Sequence, residues 1–207
     1  MLIVFCVVMR GHKSVSFKFI DLFAGIGGFH LALESLGGEC VFASEIDEKA
    51  RATYRQNHGM EPYGDIREIT APELPDSLIE AHIPDHDVLA AGFPCQPFSL
   101  AGVSARNALG QSHGFLDETQ GTLFYDIARI VQIKQPKALI LENVSNIVQH
   151  DKGKTFATLR RVIADLGYSL SWKVLNSETL VPQRRRRCFM VAFRDADMGE
   201  QMIFPDL

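Results

Sequence analysis

An α/β fold with a mostly parallel sheet is what this sequence predicts, on three observations. Short apolar strands alternate with helical stretches, a glycine-rich turn joins the first strand to the first helix, and the chemically unusual residues cluster where strands end. The chain of 207 residues suits one domain; 46% of it is hydrophobic and 22% charged, ordinary values for a globular protein with a sizeable core.

"FKFIDLF" (Phe17 to Phe23) is a predicted strand that runs into a glycine turn. "GFHLALESLG" follows as a helix, with Phe29, Leu33 and Leu36 at helical spacing and Gly37-Gly38 as its stop. "ECVFASEID" is a second strand and "EKARATYRQNH" a second helix with alternating charges. "HDVLAAG" is a third strand, bounded by Gly92 and Pro94. "GTLFYDIARIVQIKQP" is a helix whose apolar face carries Leu123, Ile127, Ile130 and Val131. "KALILEN" is a strand, "KTFATLRRVIADLG" a helix, and "YSLSWKVL" and "RCFMVAF" are two late strands. No helix separates that last pair, so an antiparallel strand is expected at the sheet edge. Residues 1–16 read as an N-terminal extension and 17–207 as the folded domain, with Met9 an alternative start to Met1. "MLIVFCVV" is too short to span a bilayer, which takes about 20 apolar residues.

Composition excludes several classes. The net charge of −4 rules out a chain that is basic throughout, so contact with a polyanion must come from a local cluster or a partner. The four cysteines, Cys6, Cys40, Cys95 and Cys188, form no CxxC pair, which argues against a zinc site or a disulfide framework and fits a reducing cytosol. Cys6, Cys40 and Cys188 sit in apolar runs and read as small core hydrophobes.

In an open parallel sheet, ligands bind beyond the carboxyl ends of the strands. "FAGIGG" supplies Gly25, Gly27 and Gly28 there, and Glu45 stands at the distance where an acidic residue bonds a ribose. The spacing is neither GxGxxG nor a P-loop. A cofactor with a ribose and no phosphates fits, and S-adenosylmethionine is the candidate; an ordinary helix-start turn is the alternative. Asp65, in "YGDI", is placed to accept from an amino group or simply to shape a turn. In "GFPCQPFS" the thiol of Cys95 lies between Pro94 and Pro97, a stiffened setting that suits a nucleophile better than a buried thiol. Glu142 ends an apolar strand, where desolvation raises a carboxyl pKa and makes it a proton donor, or where it merely caps the next element. Asn143 orients that turn. In "QRRRR" alternation sends Arg185 and Arg187 to one side and Arg184 and Arg186 to the other. Ser99 to Gln120 has no period and reads as a functional lid or a disordered segment.

Taken in order, "DLFAGIGGF", "EID", "GDI", "GFPCQPFS", "ENV" and "QRRRR" resemble the DNA cytosine-5 methyltransferases of bacterial restriction–modification systems, over Phe17 to Phe204. The resemblance implies a Rossmann-like, S-adenosylmethionine-dependent methyltransferase domain acting on double-stranded DNA. Cys95 is then the nucleophile that adds to carbon 6 of a flipped cytosine, Glu142 the group at ring nitrogen 3, and Arg185 and Arg187 the paired arginines beside it. Phe23, Gly25, Gly27, Gly28, Glu45, Ile46, Asp65, Ile66, Pro94 and Leu123 are implied for the cofactor, and Gln96 and Ser99 for DNA; no metal is implied. Ile46 stands where many relatives carry tryptophan.

The resemblance also implies a target-recognition region and a late Asn-containing motif, and the sequence ends before either. The expectations are a split enzyme completed by a second polypeptide, a truncated product, or a remnant, with little sequence-specific methylation by this chain alone. A non-catalytic S-adenosylmethionine-binding subunit and a transfer-RNA methyltransferase of the DNA-type family are the rival readings. A dinucleotide oxidoreductase leaves Cys95 with Glu142 unexplained.

Overall fold

A computed structural model of the chain describes residues 16–94, 123–200 and 202–205. Residues 1–15 of the N-terminal extension and Cys95, Gln96 and Ser99 lie outside them. Six strands form one sheet: β1 (Phe17–Leu22), β2 (Gly38–Ser44), β3 (Val88–Gly92), β4 (Ala138–Val144), β5 (Ser169–Asn176) and β6 (Arg186–Phe193). Their order across the sheet is β2-β1-β3-β4-β6-β5. The first four run parallel, whereas β6 pairs antiparallel with both β4 and β5, and β5 forms the edge.

Seven helices are described: α1 (Gly28–Glu34), α2 (Glu48–His58), α3 (Arg67–Thr70), α4 (Ser77–His82), α5 (Leu123–Lys134), α6 (Lys154–Asp165) and α7 (Ala196–Glu200). None of the described helices is long and apolar enough to cross a membrane. Asp47 caps α2 by accepting from the Ala50 amide at 2.8 Å, and Gly59 ends it in the left-handed region at φ 68°.

The inner strands are apolar on both faces because both faces are covered. Ile20, Leu22, Leu89, Ala91, Leu139 and Leu141 join the large core with Phe124, Ile127, Leu159 and Ile163 from the long helices. The intervening Phe19, Ala90 and Ile140 point the other way, against Leu33 of α1. Cys188 is fully buried in the large core, and its thiol is pushed up to about 12, first by burial. Cys40 is half-buried, and burial likewise pushes its thiol up to about 12.

Register aligns the chemistry. Leu22 lies opposite Ser44 and Ala91, and Gly92 opposite Glu142, so four strands end along one rim of the sheet. Because β6 runs the other way, it brings its beginning to that rim, with Arg187 opposite Val144.

Candidate active site

At the first strand end, Phe23 (φ 55°), Gly25 (φ 56°) and Gly27 (φ 92°) take left-handed conformations in quick succession. A side chain is disfavoured there by roughly 1–2 kcal/mol per residue, so glycine is the economical choice and Phe23 a locally strained one. A Cβ on Gly25 would meet nothing within 4 Å, whereas one on Gly27 would stand 2.0 Å from His58 Nε2. The turn is therefore open on the Gly25 side and closed on the Gly27 side. Gly28 opens α1.

Glu45 fastens this turn to β2. Its Oε2 accepts from the Gly25 amide at 2.7 Å and its Oε1 from the Asp47 amide at 2.9 Å. The Ala24 amide also donates to the Ser44 carbonyl at 3.0 Å. Beside it Ile46 is 64% and Ile26 59% exposed, two apolar side chains standing in water at the mouth of one turn. The segment through Tyr63 lies along the end of β2, where the Glu45 amide donates to the Tyr63 carbonyl at 2.9 Å.

Asp65 is held by Arg67, whose Nη2 lies 2.7 Å from Oδ2, and that hydrogen bond holds its carboxyl below the usual range. Ile66 is 3% exposed and packs in the large core, so its main chain, not its side chain, borders this rim. Leu123 is half-buried at the start of α5, and Pro94 is exposed just past β3.

At the opposite strand ends, Glu142 and the arginines meet. Arg187 Nε lies 2.9 Å from Glu142 Oε1 and Arg185 Nη2 lies 3.8 Å from the same oxygen. The contacts are ionic and poorly aligned: Glu142 Oε1 and Arg185 Nε are both buried without a hydrogen-bond partner. Burial pushes the Glu142 carboxyl above its ordinary value, and the charges of Arg187 and then Arg185 offset part of that rise. A carboxyl whose proton affinity is raised by burial, beside two guanidinium groups, suits an acceptor that gains negative charge.

Gly92 is level with Glu142, and a Cβ there would lie in ordinary van der Waals contact, 3.8 Å from Glu142 Oε2 and from Phe29. Asn143 donates to the Phe93 carbonyl at 2.9 Å, and its Oδ1 accepts from the Val144 amide at 2.8 Å. It thus ties β4 to the residue preceding Pro94. Arg184 and Arg186 are exposed.

Sequence patterns missed a buried polar group behind the glycine turn. Asp21 is fully buried, and both its oxygens lack an aligned donor. Desolvation raises its pKa well above the ordinary value; the nearby His30 main chain offsets part of this. Close by, His30 Nδ1 lies 2.6 Å from Tyr54 Oη. The available signal was an aspartate inside the otherwise apolar "FIDLF".

The sequence profile of C-5 cytosine-specific DNA methylases matches residues 17–204. A "DNA-cytosine methyltransferase" of Escherichia coli (strain K12) is 46% identical over 204 residues, 88% of this chain and 43% of the relative. The "Type II methyltransferase M.HhaI" of Haemophilus parahaemolyticus is 43% identical over 198 residues, 95% of this chain and 55% of the relative. The chain thus spans about half the length of these curated relatives. Among solved structures, a putative DNA modification methyltransferase encoded within an E. coli prophage superposes with a TM-score of 0.64 at 22% identity, covering 92% of this chain and 51% of that one. The S. pombe Dnmt2 methyltransferase gives 0.61 at 22% identity, over 86% and 49%. At that identity the two structures speak to the fold alone, which is that of a Rossmann-like methyltransferase domain. On the match to its sequence profile and to these curated relatives, the chain belongs to the C-5 cytosine-specific DNA methylase family.

Proposed function

We propose that this chain carries the catalytic centre of an enzyme that transfers a methyl group from S-adenosylmethionine to carbon 5 of cytosine in double-stranded DNA. The observation that carries the reading is the carboxyl of Glu142, raised by burial and flanked by Arg187 and Arg185, level with the strand end that leads to Pro94 and Cys95.

The residues at the glycine turn fit the cofactor. Gly25 leaves open space for a ligand, Glu45 is fixed by two amides at ribose distance in sequence, and exposed Ile46 offers an apolar surface to adenine. Phe23, Gly27 and Gly28 complete that turn. Asp65 offers carboxylate lone pairs to an amino group, with the main chain of Ile66 beside it, and Pro94 and Leu123 bound the rest. When bound, the cofactor supplies the methyl group as an electrophilic sulfonium.

The chain's own residues then do the following. Cys95, as thiolate, adds through sulfur to carbon 6 of the extruded cytosine, and the ring's electron pair shifts so that carbon 5 becomes nucleophilic. Glu142 donates its proton to ring nitrogen 3, and Arg185 and Arg187 stabilise the carboxylate left behind. Gln96 and Ser99 face the DNA. After carbon 5 gains the methyl group it loses its proton to a base, the carbon–sulfur bond breaks, and nitrogen 3 returns its proton to Glu142. A reducing, cytoplasmic compartment suits a chain whose nucleophile must stay a free thiol.

The test is covalent trapping on a duplex carrying 5-fluorocytosine, which blocks loss of the carbon-5 substituent. It is run with S-adenosylmethionine, with the chain alone and with a second polypeptide carrying the part of the curated relatives beyond the matched region. A denaturant-stable complex that Cys95→Ser abolishes is expected. Its absence in both arms would leave a cofactor-binding subunit as the better reading, and trapping on the matching RNA alone would move the substrate to RNA.

A further inference from the structure

Beside the glycine turn, two imidazoles and a carboxylate gather that the methyl-transfer reading does not use. His30 and Glu34 stand one helical turn apart on α1, and His58 is the last residue of α2. Each offers one ligand atom, and these atoms all lie within 4.8 Å of one another. We propose that His30, Glu34 and His58 form a binding site for a zinc-like divalent ion that clamps α1 to α2 beside the glycine turn.

The donor set is right for such an ion. Two imidazole nitrogens and a carboxylate oxygen suit a borderline-soft metal such as zinc and leave a fourth position for water. Donors at about 2.0–2.1 Å from a tetrahedral zinc stand roughly 3.3–3.5 Å apart, so from a spread of up to 4.8 Å the cluster has to close by at most about 1.5 Å.

One ligand is already oriented. Tyr54 Oη holds His30 Nδ1 at 2.6 Å, which leaves Nε2 for a metal, and a polar partner on the far nitrogen is how metal-binding histidines are fixed. Tyr54 Oη also lies 3.7 Å from Cys40 Sγ, which stands behind the phenol.

The remaining adjustment is local. The His30 and His58 rings stack at 4.0 Å with planes 20° apart, so their lone pairs run side by side instead of converging. His30 is buried and pinned, while His58 is only half-buried and is followed by the left-handed Gly59. His58 is therefore the ring that swings. Glu34 is exposed, so its side chain has room to turn toward the two imidazoles. Because His58 Nε2 also lies 3.4 Å from the Ile26 carbonyl, an ion there would act on the turn itself.

The proposal does not depend on the methyl-transfer reading, and its test needs no activity. The chain is stripped with a chelator, then titrated with zinc by calorimetry and followed by thermal melting. Expected are one-to-one saturable binding and a higher Tm with zinc, both weakened about tenfold or more in affinity by Glu34→Gln and by His58→Gln. Glu34 is exposed, so its variant keeps the fold, and circular dichroism checks both. His82→Ala, an exposed histidine on α4, is the control and binds as the parent does. Absence of saturable binding, or binding that either Glu34→Gln or His58→Gln leaves unchanged, or that His82→Ala weakens equally, overturns the site.

Discussion

Arg187 approaches Glu142 to 2.9 Å without aligning a hydrogen bond to it, so the carboxyl receives charge but keeps its proton-binding capacity. Burial raises its pKa and Arg187 is the largest force pulling it back. The protonated form, the donor in the proposed reaction, is lost as pH rises through that raised value. Arg187→Gln removes the pull, so the basic limb of the kcat profile moves to higher pH even as kcat falls. Glu142→Gln keeps the shape and lowers kcat by about 10²–10⁴-fold. A pH–rate profile in single-turnover conditions checks both; an unmoved basic limb in Arg187→Gln rejects this account.

Glu45 staples the turn through two amides and, in the proposed function, also contacts the cofactor. Glu45→Ala leaves the Gly25 and Asp47 amides without their acceptor, at a cost of about 1–2 kcal/mol, and weakens S-adenosylmethionine binding. Glu45→Gln retains one carbonyl acceptor and falls between the two. Calorimetric titration with the cofactor and urea unfolding measure the two effects separately.

Gly27 and His58 are coupled by contact. Gly27→Ala meets the left-handed penalty of roughly 1–2 kcal/mol and a clash with the imidazole as well. Adding His58→Ala removes the clash and leaves the backbone penalty. A double-mutant cycle of unfolding free energies, in chelator, should therefore show favourable coupling. Strict additivity would mean that the ring simply moves aside.

Asp21 makes stability depend on pH in the unusual direction. Its carboxyl ionises near 3.9 in the unfolded chain, whereas burial keeps the folded form protonated to higher pH. Above 3.9 the folded state binds more protons than the unfolded one, so stability falls as pH rises, by up to about 1.4 kcal/mol per unit until the folded pKa is reached. Asp21→Asn removes this slope. The difference between variant and parent Tm should grow between pH 4 and neutrality.

Much of this molecule is legible in its residues. Phe17 to Leu22, Val88 to Gly92 and Ala138 to Val144 are short apolar runs bounded by turn formers, and each is a strand. Gly25 and Gly27 of "FAGIGG" sit where an L-residue is disfavoured, a local requirement that sequence reports directly. The alternation in "QRRRR" also holds, since Arg185 and Arg187 turn inward and Arg184 and Arg186 remain exposed. Local periodicity carries all of these.

What periodicity does not carry is the placement of β6. Only sheet pairing sets it between β4 and β5 and runs it backwards, which brings its arginine-rich start to the rim where the parallel strands end. The stacking of His30 on His58 and the burial of Asp21 are likewise products of packing between segments far apart in the chain. The sequence by itself determined which groups the protein owns and which strand ends carry them. The tertiary structure decided which of those groups share a low-dielectric space, because proton affinity and charge coupling depend on burial and distance, and neither is a property of a linear pattern.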